Sequence, residues 1–202
     1  MGITLVLAEV VQFYGLINSL KTQTMHLPFI GAYWAGRRET KEQCARRVAD
    51  FLTRIESHPS TSQWFPKGKS ARVSTRVPVL VTLEGVLPFL RTNNRDSDGS
   101  AIEELGFNLG LWNGSSVGLT ITCGAFSPTI RNCVVLSLPA TADVGADDIA
   151  PLRALLEAVI AVWEPDNAVL TSHRLIAMNG GGMPWQTRGW LNYCKSEGVI
   201  SS

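Results

Sequence analysis

The clearest pattern of apolar and polar positions lies on both sides of an Asn-Gly pair near the middle of the chain. At residues 117–123, Val, Leu, Ile and Cys alternate with Gly and Thr, which is the period of a strand with one buried face. A second apolar segment ends at Trp112, and Asn113 and Gly114 join the two because both residue types accept positive φ at little cost. The pattern predicts a tight β-hairpin that carries a large aromatic residue and no catalytic group.

Two further segments have the spacing of amphipathic helices. We expect Thr40 to cap the first helix, with Gln43 completing a capping box. We expect Asp148 to cap the second helix, with Pro151 in its first turn. The apolar stripes are Cys44, Val48, Phe51, Leu52 and Ile55 in the first helix, and Ile149, Leu152, Leu155, Leu156, Val159, Ile160 and Trp163 in the second.

The remaining apolar runs predict strands at residues 26–33, 132–138 and 168–171. Residues 77–90 fit a short helix, although Gly85 and Pro88 weaken it. Strands interrupted by helices of this size predict an α+β fold, with a mostly antiparallel sheet and helices packed on one face.

The chain of 202 residues suits one domain. We predict that residues 1–24 form an N-terminal extension or helix and that residues 25–202 form a single domain. No Lys or Arg precedes the apolar run at residues 3–19, and Glu9 and Gln12 interrupt it, so it matches neither a signal peptide nor a spanning helix. The prediction is a cytoplasmic protein.

Composition adds few constraints. The formal net charge is +1, so the protein as a whole is not strongly attracted to anionic partners. We therefore expect neither nucleic acid nor an anionic membrane as a partner. Four separated cysteines without a C-x-x-C pair indicate small buried side chains in a reducing compartment. A disulfide between Cys123 and Cys133, on neighbouring predicted strands, is the alternative.

Motifs for catalysis or cofactors are missing from the sequence. The histidines His26, His58 and His173 stand alone, and neither a serine-hydrolase elbow nor a phosphate-binding loop occurs. Glu39 and Lys41 have the E-x-K spacing that nucleases use to hold Mg²⁺ beside a lysine. They also lie at a predicted helix start, where an acidic residue is favoured electrostatically. We assign no enzyme activity, catalytic residue, metal or cofactor.

Five motifs together resemble the immunity protein 52 family over roughly residues 27–194. They are Gly-Ala-Tyr-Trp at 31–34, the helix that follows it, the hairpin at 104–124, Asn-Cys-Val-Val-Leu-Ser-Leu-Pro at 132–139 and Gly-Trp-Leu at 189–191. The resemblance implies a bacterial antitoxin, encoded beside a polymorphic secreted toxin of restriction-endonuclease-like nuclease fold. It implies binding of that cognate toxin, in a type VI secretion or related system, and no catalysis.

A nuclease toxin presents a basic, phosphate-binding cleft, so its inhibitor is expected to place carboxylates against it. The alternative for several of these aspartates is a local role in turns or helix caps. Trp64 lies in a predicted loop and is added because exposed tryptophan is frequent at interface hot spots. The candidate contact residues are Trp64, Asp96, Asp98, Glu103, Glu104, Asp143 and Asp147.

An alternative function is nucleic-acid binding through the basic segment 67–76. It contains Lys67, Lys69, Arg72 and Arg76 but no recognisable DNA- or RNA-binding motif. A solvated loop is the simpler interpretation of this segment.

Overall fold

The computed structural model describes residues 27–58, 61–68, 77–92, 99–100, 102–139 and 146–201, with the backbone alone at 146–148. Several predictions lie outside these residues. They are the assignment of residues 1–24 and the roles of Lys69, Arg72, Arg76, Asp96, Asp98 and Asp143.

Within these described residues, eight strands form one sheet in the order β2-β3-β4-β5-β1-β6-β7-β8, and each neighbouring pair is antiparallel. The strands are β1 (Pro28–Trp34), β2 (Phe65–Pro66), β3 (Phe107–Trp112), β4 (Gly118–Cys123), β5 (Asn132–Ser137), β6 (Asn167–Ser172), β7 (Leu191–Cys194) and β8 (Ile200–Ser201). The α-helices are α1 (Lys41–Ile55), α2 (Leu83–Val86), α3 (Ala146–Trp163) and α4 (His173–Met178). Short 3₁₀ turns lie at Leu87–Phe89, Glu103–Leu105 and Pro184–Gln186. The predicted α+β fold is confirmed.

Helix α1 forms as its sequence predicts. The Gln43 amide donates to the Thr40 hydroxyl at 3.2 Å, and the Thr40 amide donates to the Gln43 side chain at 2.7 Å. This reciprocal pair closes the capping box. Every member of the predicted apolar stripe of α1 is buried. Local capping and the 3.6-residue period therefore determine both the start and the packed face of this helix.

Helix α3 begins at Ala146, three residues before the predicted first helical residue, Ile149. Asp148 therefore lies inside the helix and does not precede it as a cap, which corrects the prediction. Pro151 falls in the second turn and not the first. The stripe still packs as predicted, because Leu152, Leu155, Leu156, Val159 and Trp163 are buried.

The β3–β4 hairpin has a longer loop than the predicted tight turn. The Asn113 side-chain oxygen accepts hydrogen bonds from the Ser115 and Val117 amides, each at 2.9 Å. Gly114 adopts φ +81°. The Asn-Gly pair thus shapes the turn, but its asparagine caps a wider loop. In β4 the predicted alternation is confirmed, since Leu119, Ile121 and Cys123 are buried.

Helices α1 and α3 cover one face of the sheet with a continuous apolar core. Trp34 of β1 stacks on Trp163 of α3, with ring centroids 5.5 Å apart. Phe51 of α1 meets Trp163 edge-on at 6.5 Å. The aromatic cluster joins the sheet to both long helices. In the described part of the chain, no helix is long and apolar enough to cross a membrane.

The four cysteines are free. Cys123 points into the core beneath α1, whereas Cys133 is opposite Thr122 and points to the other face of the sheet. A Cys123–Cys133 disulfide is excluded in this arrangement because the two side chains lie on opposite faces. A hydrogen bond with Cys44, together with burial, raises the pKa of Cys123, which keeps its thiol protonated.

Candidate functional site

The sheet has a second face that α1 and α3 do not cover, and strands β3, β4 and β5 display mainly small or polar side chains there. Opposite residues of antiparallel strands share a face, so the register defines its members. We call these positions the open face: Asn108, Gly110, Trp112, Gly118, Thr120, Thr122, Cys133, Val135 and Ser137. All of them are at least partly exposed.

The adjoining part of this second face is covered. His173, the first residue of α4, contacts Phe29 with ring centroids 5.2 Å apart. Trp185, in the 3₁₀ turn, contacts Tyr33 at 5.1 Å. Burial accordingly raises the pKa of the Tyr33 hydroxyl. The open face is therefore the half of the sheet that α4 and the Pro184–Gln186 turn leave accessible.

Lys67 lies across the open face. A Cβ atom at Gly110 would be 3.4 Å from the Lys67 stem, and one at Gly118 would be 3.0 Å from its Nζ. The two glycines therefore provide the space in which this side chain rests against the sheet. Its partial burial lowers the pKa of the Lys67 amine. The sequence places the lysine in a loop and gives no sign of this position.

Aromatic residues stand at two margins of this region. Phe65 and Trp112 contact each other with ring centroids 6.1 Å apart, and both are only partly buried. Arg131 lies over the ring of Trp185 at 5.5 Å, where a cation–π contact is favourable. Partly exposed aromatic rings next to cationic groups are typical of contact surfaces.

Two grooves lie on this second face of the sheet, one within the open face and one at β6 and β7. One, of about 320 Å³, is lined by Lys67, Arg91, Asn108 and Thr120, among others. The other, of about 380 Å³, lies beside β6 and β7 between Trp185, Arg188 and Glu197. Arg91 reaches the first groove because its backbone bridges to Asn108. The charged side chains that the structure describes in these grooves are therefore three basic ones and one acidic one.

Only some of the predicted acidic contact residues have side chains that the structure describes. Glu103 and Glu104 are exposed in a 3₁₀ turn before β3. Arg38 approaches Glu103 at 3.4 Å, but both side chains are about three-quarters exposed, so the pair contributes little to stability. Asp147 lies in α3 with its side chain undescribed, and the other three aspartates lie outside the described residues. Among these candidates with described side chains, Glu103 and Glu104, which are consecutive in the chain, are exposed.

Trp64 differs from its predicted exposure. It is 2% exposed and packs in the core, and its carbonyl accepts the Val79 amide at 2.8 Å. The loop around it is fixed by β2 and by the Thr61 hydroxyl, which donates to the Ile55 and His58 carbonyls. Its neighbour Phe65 is the ring that reaches the surface.

Glu39 joins an ion-pair network at the start of α1. Its carboxylate lies 2.7 Å from Arg47 and 3.4 Å from Arg37, and its side chain is 8% exposed. Arg37 also donates to the Trp163 carbonyl at 3.1 Å, and Arg47 to the Val162 carbonyl. The network ties α1 to the end of α3. Across the described residues, no cluster of His, Cys, Asp and Glu could hold a metal ion. These contacts give Glu39 a structural role.

Replacing Glu39 with alanine should lower the free energy of unfolding by about 2 kcal/mol, because two partly buried guanidinium groups lose their shared acceptor. Urea denaturation followed by circular dichroism measures the loss. Glu157→Ala on the exposed side of α3 is the control, with an expected change within about 0.5 kcal/mol. Equal effects of the two substitutions would contradict a structural network.

A comparison with protein families supplies a match. The sequence profile of a family described as Immunity protein 52 matches residues 27–200. The matched region spans β1 to β7 and includes both the open face and the Glu39 network. Comparison with curated proteins gives no match.

Proposed function

Because this chain belongs to the immunity protein 52 family, we propose that it binds and neutralises one cognate secreted toxin. The observation that carries the proposal is the family match across residues 27–200, which covers most of the chain. An immunity protein protects the cell that makes the toxin. Its function then depends on a folded surface complementary to the toxin.

We further propose that the toxin is a nuclease of a type VI secretion or related polymorphic toxin system, and that neutralisation takes place in the cytoplasm. The resemblance of the sequence motifs supports this choice. Inhibition would follow from blocking the catalytic cleft or from holding the toxin in an inactive conformation. No bond-making step by this protein is needed, because a tight stoichiometric complex is sufficient.

The exposed carboxylates of Glu103 and Glu104 are proposed contacts for basic residues of the toxin. Asp96, Asp98, Asp143 and Asp147 stay in the proposal as acidic candidates. Trp64 does not, since its ring is buried.

Co-expression tests the proposal directly. Cells that express the neighbouring toxin domain alone should lose viability, and cells that also express this protein should grow as well as toxin-free cells. A catalytically inactive toxin should co-purify with the protein as a stable complex. A version beginning at Met25 should protect equally, since we propose that residues 25–202 are the functional domain. The assignment would be rejected if the protein neither protected the cells nor formed a complex with the toxin.

A second candidate function is nucleic-acid binding. The placement of Lys67 on the open face, near Trp112, favours it. It predicts retardation of DNA or RNA in gels that weakens steeply as salt concentration rises. Of the basic segment 67–76, the structure describes only Lys67 and Gly68.

A further inference from the structure

We propose that the toxin binds to the open face of the sheet and presents carboxylates to Lys67 and Arg91 at its margin. This inference rests on the proposed function, since it names the surface and the chemistry of that same complex. It differs from the expectation that acidic residues of this protein make the main contacts.

The shape of the open face suits a protein partner. Three strands about 4.8 Å apart and six residues about 3.3 Å apart give a platform of roughly 14 Å by 20 Å. Its small side chains, including Gly110, Gly118 and Thr120, keep that platform flat. Each partner of a stable complex buries about 800 Å², nearly three times this area. The margins must therefore take part in binding.

The basic residues at the margins of the open face favour a partner surface that carries carboxylates. Lys67 and Arg91 line one groove without an acidic residue, and Arg131 lies over Trp185, whereas Arg188 shares the other groove with Glu197. Lys67 is held extended across the sheet, so little side-chain freedom is lost when its amine meets an anionic group. Such a surface is complementary to carboxylates on the toxin.

The aromatic residues at the margins supply apolar contact area. Trp112 packs against Phe65, and Trp185 packs against Tyr33, so these rings are already oriented before binding. Rigid, partly exposed aromatic rings contribute large contact areas at low entropic cost.

The groove on the opposite side of the sheet carries charges of both signs. The groove between α1 and α3 is lined by Glu39, Arg46, Arg47, Asp50 and Glu164, among others. Several of these charges already pair with one another inside the protein. A toxin binding there would have to compete with those internal pairs.

The test is isothermal titration calorimetry of the full chain with catalytically inactive toxin. Lys67→Glu/Arg91→Glu should raise the dissociation constant at least about 100-fold. Lys67→Gln/Arg91→Gln should also raise the dissociation constant, but by a smaller factor. The matched control, Arg46→Glu/Arg54→Glu, makes the same charge change on exposed α1 positions and should alter the constant by less than about threefold. Thermal melts establish that each variant is folded.

The outcomes separate this inference from the proposed function. If the unmodified chain does not bind the toxin, both fail. If it binds and the Lys67/Arg91 variants bind equally well, only the open-face inference is overturned. Loss of binding in Glu103→Lys/Glu104→Lys or in the α1 control, without loss in the Lys67/Arg91 variants, would assign the interface elsewhere. A Lys67/Arg91 effect confined to self-association or to nucleic-acid retardation would also overturn it.

Discussion

Replacing Trp163 with alanine is expected to lower the free energy of unfolding by about 3–5 kcal/mol. The indole is fully buried, stacks on Trp34 and meets Phe51 edge-on, so its removal opens a cavity where the sheet joins both long helices. Aromatic pairing adds to the loss from burial alone. In a chain of this size the melting temperature should fall by roughly 10 °C. Urea denaturation and thermal melts measure the two quantities.

Trp185→Ala is the matched control, since the same atoms are removed from a partly exposed ring. This substitution should lower the free energy of unfolding by about 1 kcal/mol, because the partly exposed ring contacts Tyr33 and Arg131. If the two alanine variants unfold at the same urea concentration, the aromatic cluster is not the centre of the core.

Replacing Asn132 with leucine is expected to lower the free energy of unfolding by about 2–3 kcal/mol. The Asn132 side chain is 0% exposed, and its oxygen accepts the buried Ala125 amide at 2.9 Å. Its amide donates to the Ala125 and Ala35 carbonyls at 2.9 and 3.0 Å. Leucine has a similar volume but leaves the Ala125 amide without its acceptor. Chemical denaturation followed by tryptophan fluorescence measures the change.

Asn179→Leu serves as the comparison, because its side-chain bond to the Arg188 carbonyl is exposed and water can replace it. The free energy of unfolding of that variant should fall by less than about 1 kcal/mol. A loss below about 1 kcal/mol for Asn132→Leu as well would show that its three bonds do not stabilise the fold.

Local patterns predicted the elements whose formation depends on nearby residues. The capping box at Thr40, the stripe of α1 and the alternation in β4 are examples, because each follows from spacing along one segment. Helix α4 and strands β7 and β8 were missed. They are short, and β7 is placed by pairing with a strand some twenty residues away. Long-range pairing of this kind leaves little local signal.

The motif residues are explained by contacts that the sequence does not show. A Cβ atom at Gly189 would lie 2.1 Å from the Leu170 carbonyl oxygen, so only glycine fits beside β6. Asn132 opens a strand and at the same time fixes the loop before it. In both cases the sequence shows which residue is present, whereas the contact that requires this residue type is made with a backbone segment elsewhere in the chain.

The candidate surface was the least predictable part of the molecule. The expected basic cleft of a nuclease favours carboxylates as contacts, and Glu103 and Glu104 are exposed. The position of Lys67 on the open face depends on two glycines from different strands, Gly110 and Gly118. Trp64, in a loop of the same region, is buried. Which side of a sheet is left uncovered depends on how the helices pack, and composition does not report it.

The most direct measurement is a titration of the purified toxin's activity with purified protein. We predict that activity falls linearly to zero at a fixed molar ratio, and that intact toxin is recovered when the complex is denatured. Activity that persists in the presence of excess protein would contradict neutralisation by binding. Inactivation of the toxin by substoichiometric amounts of protein would contradict it equally, because that result requires turnover.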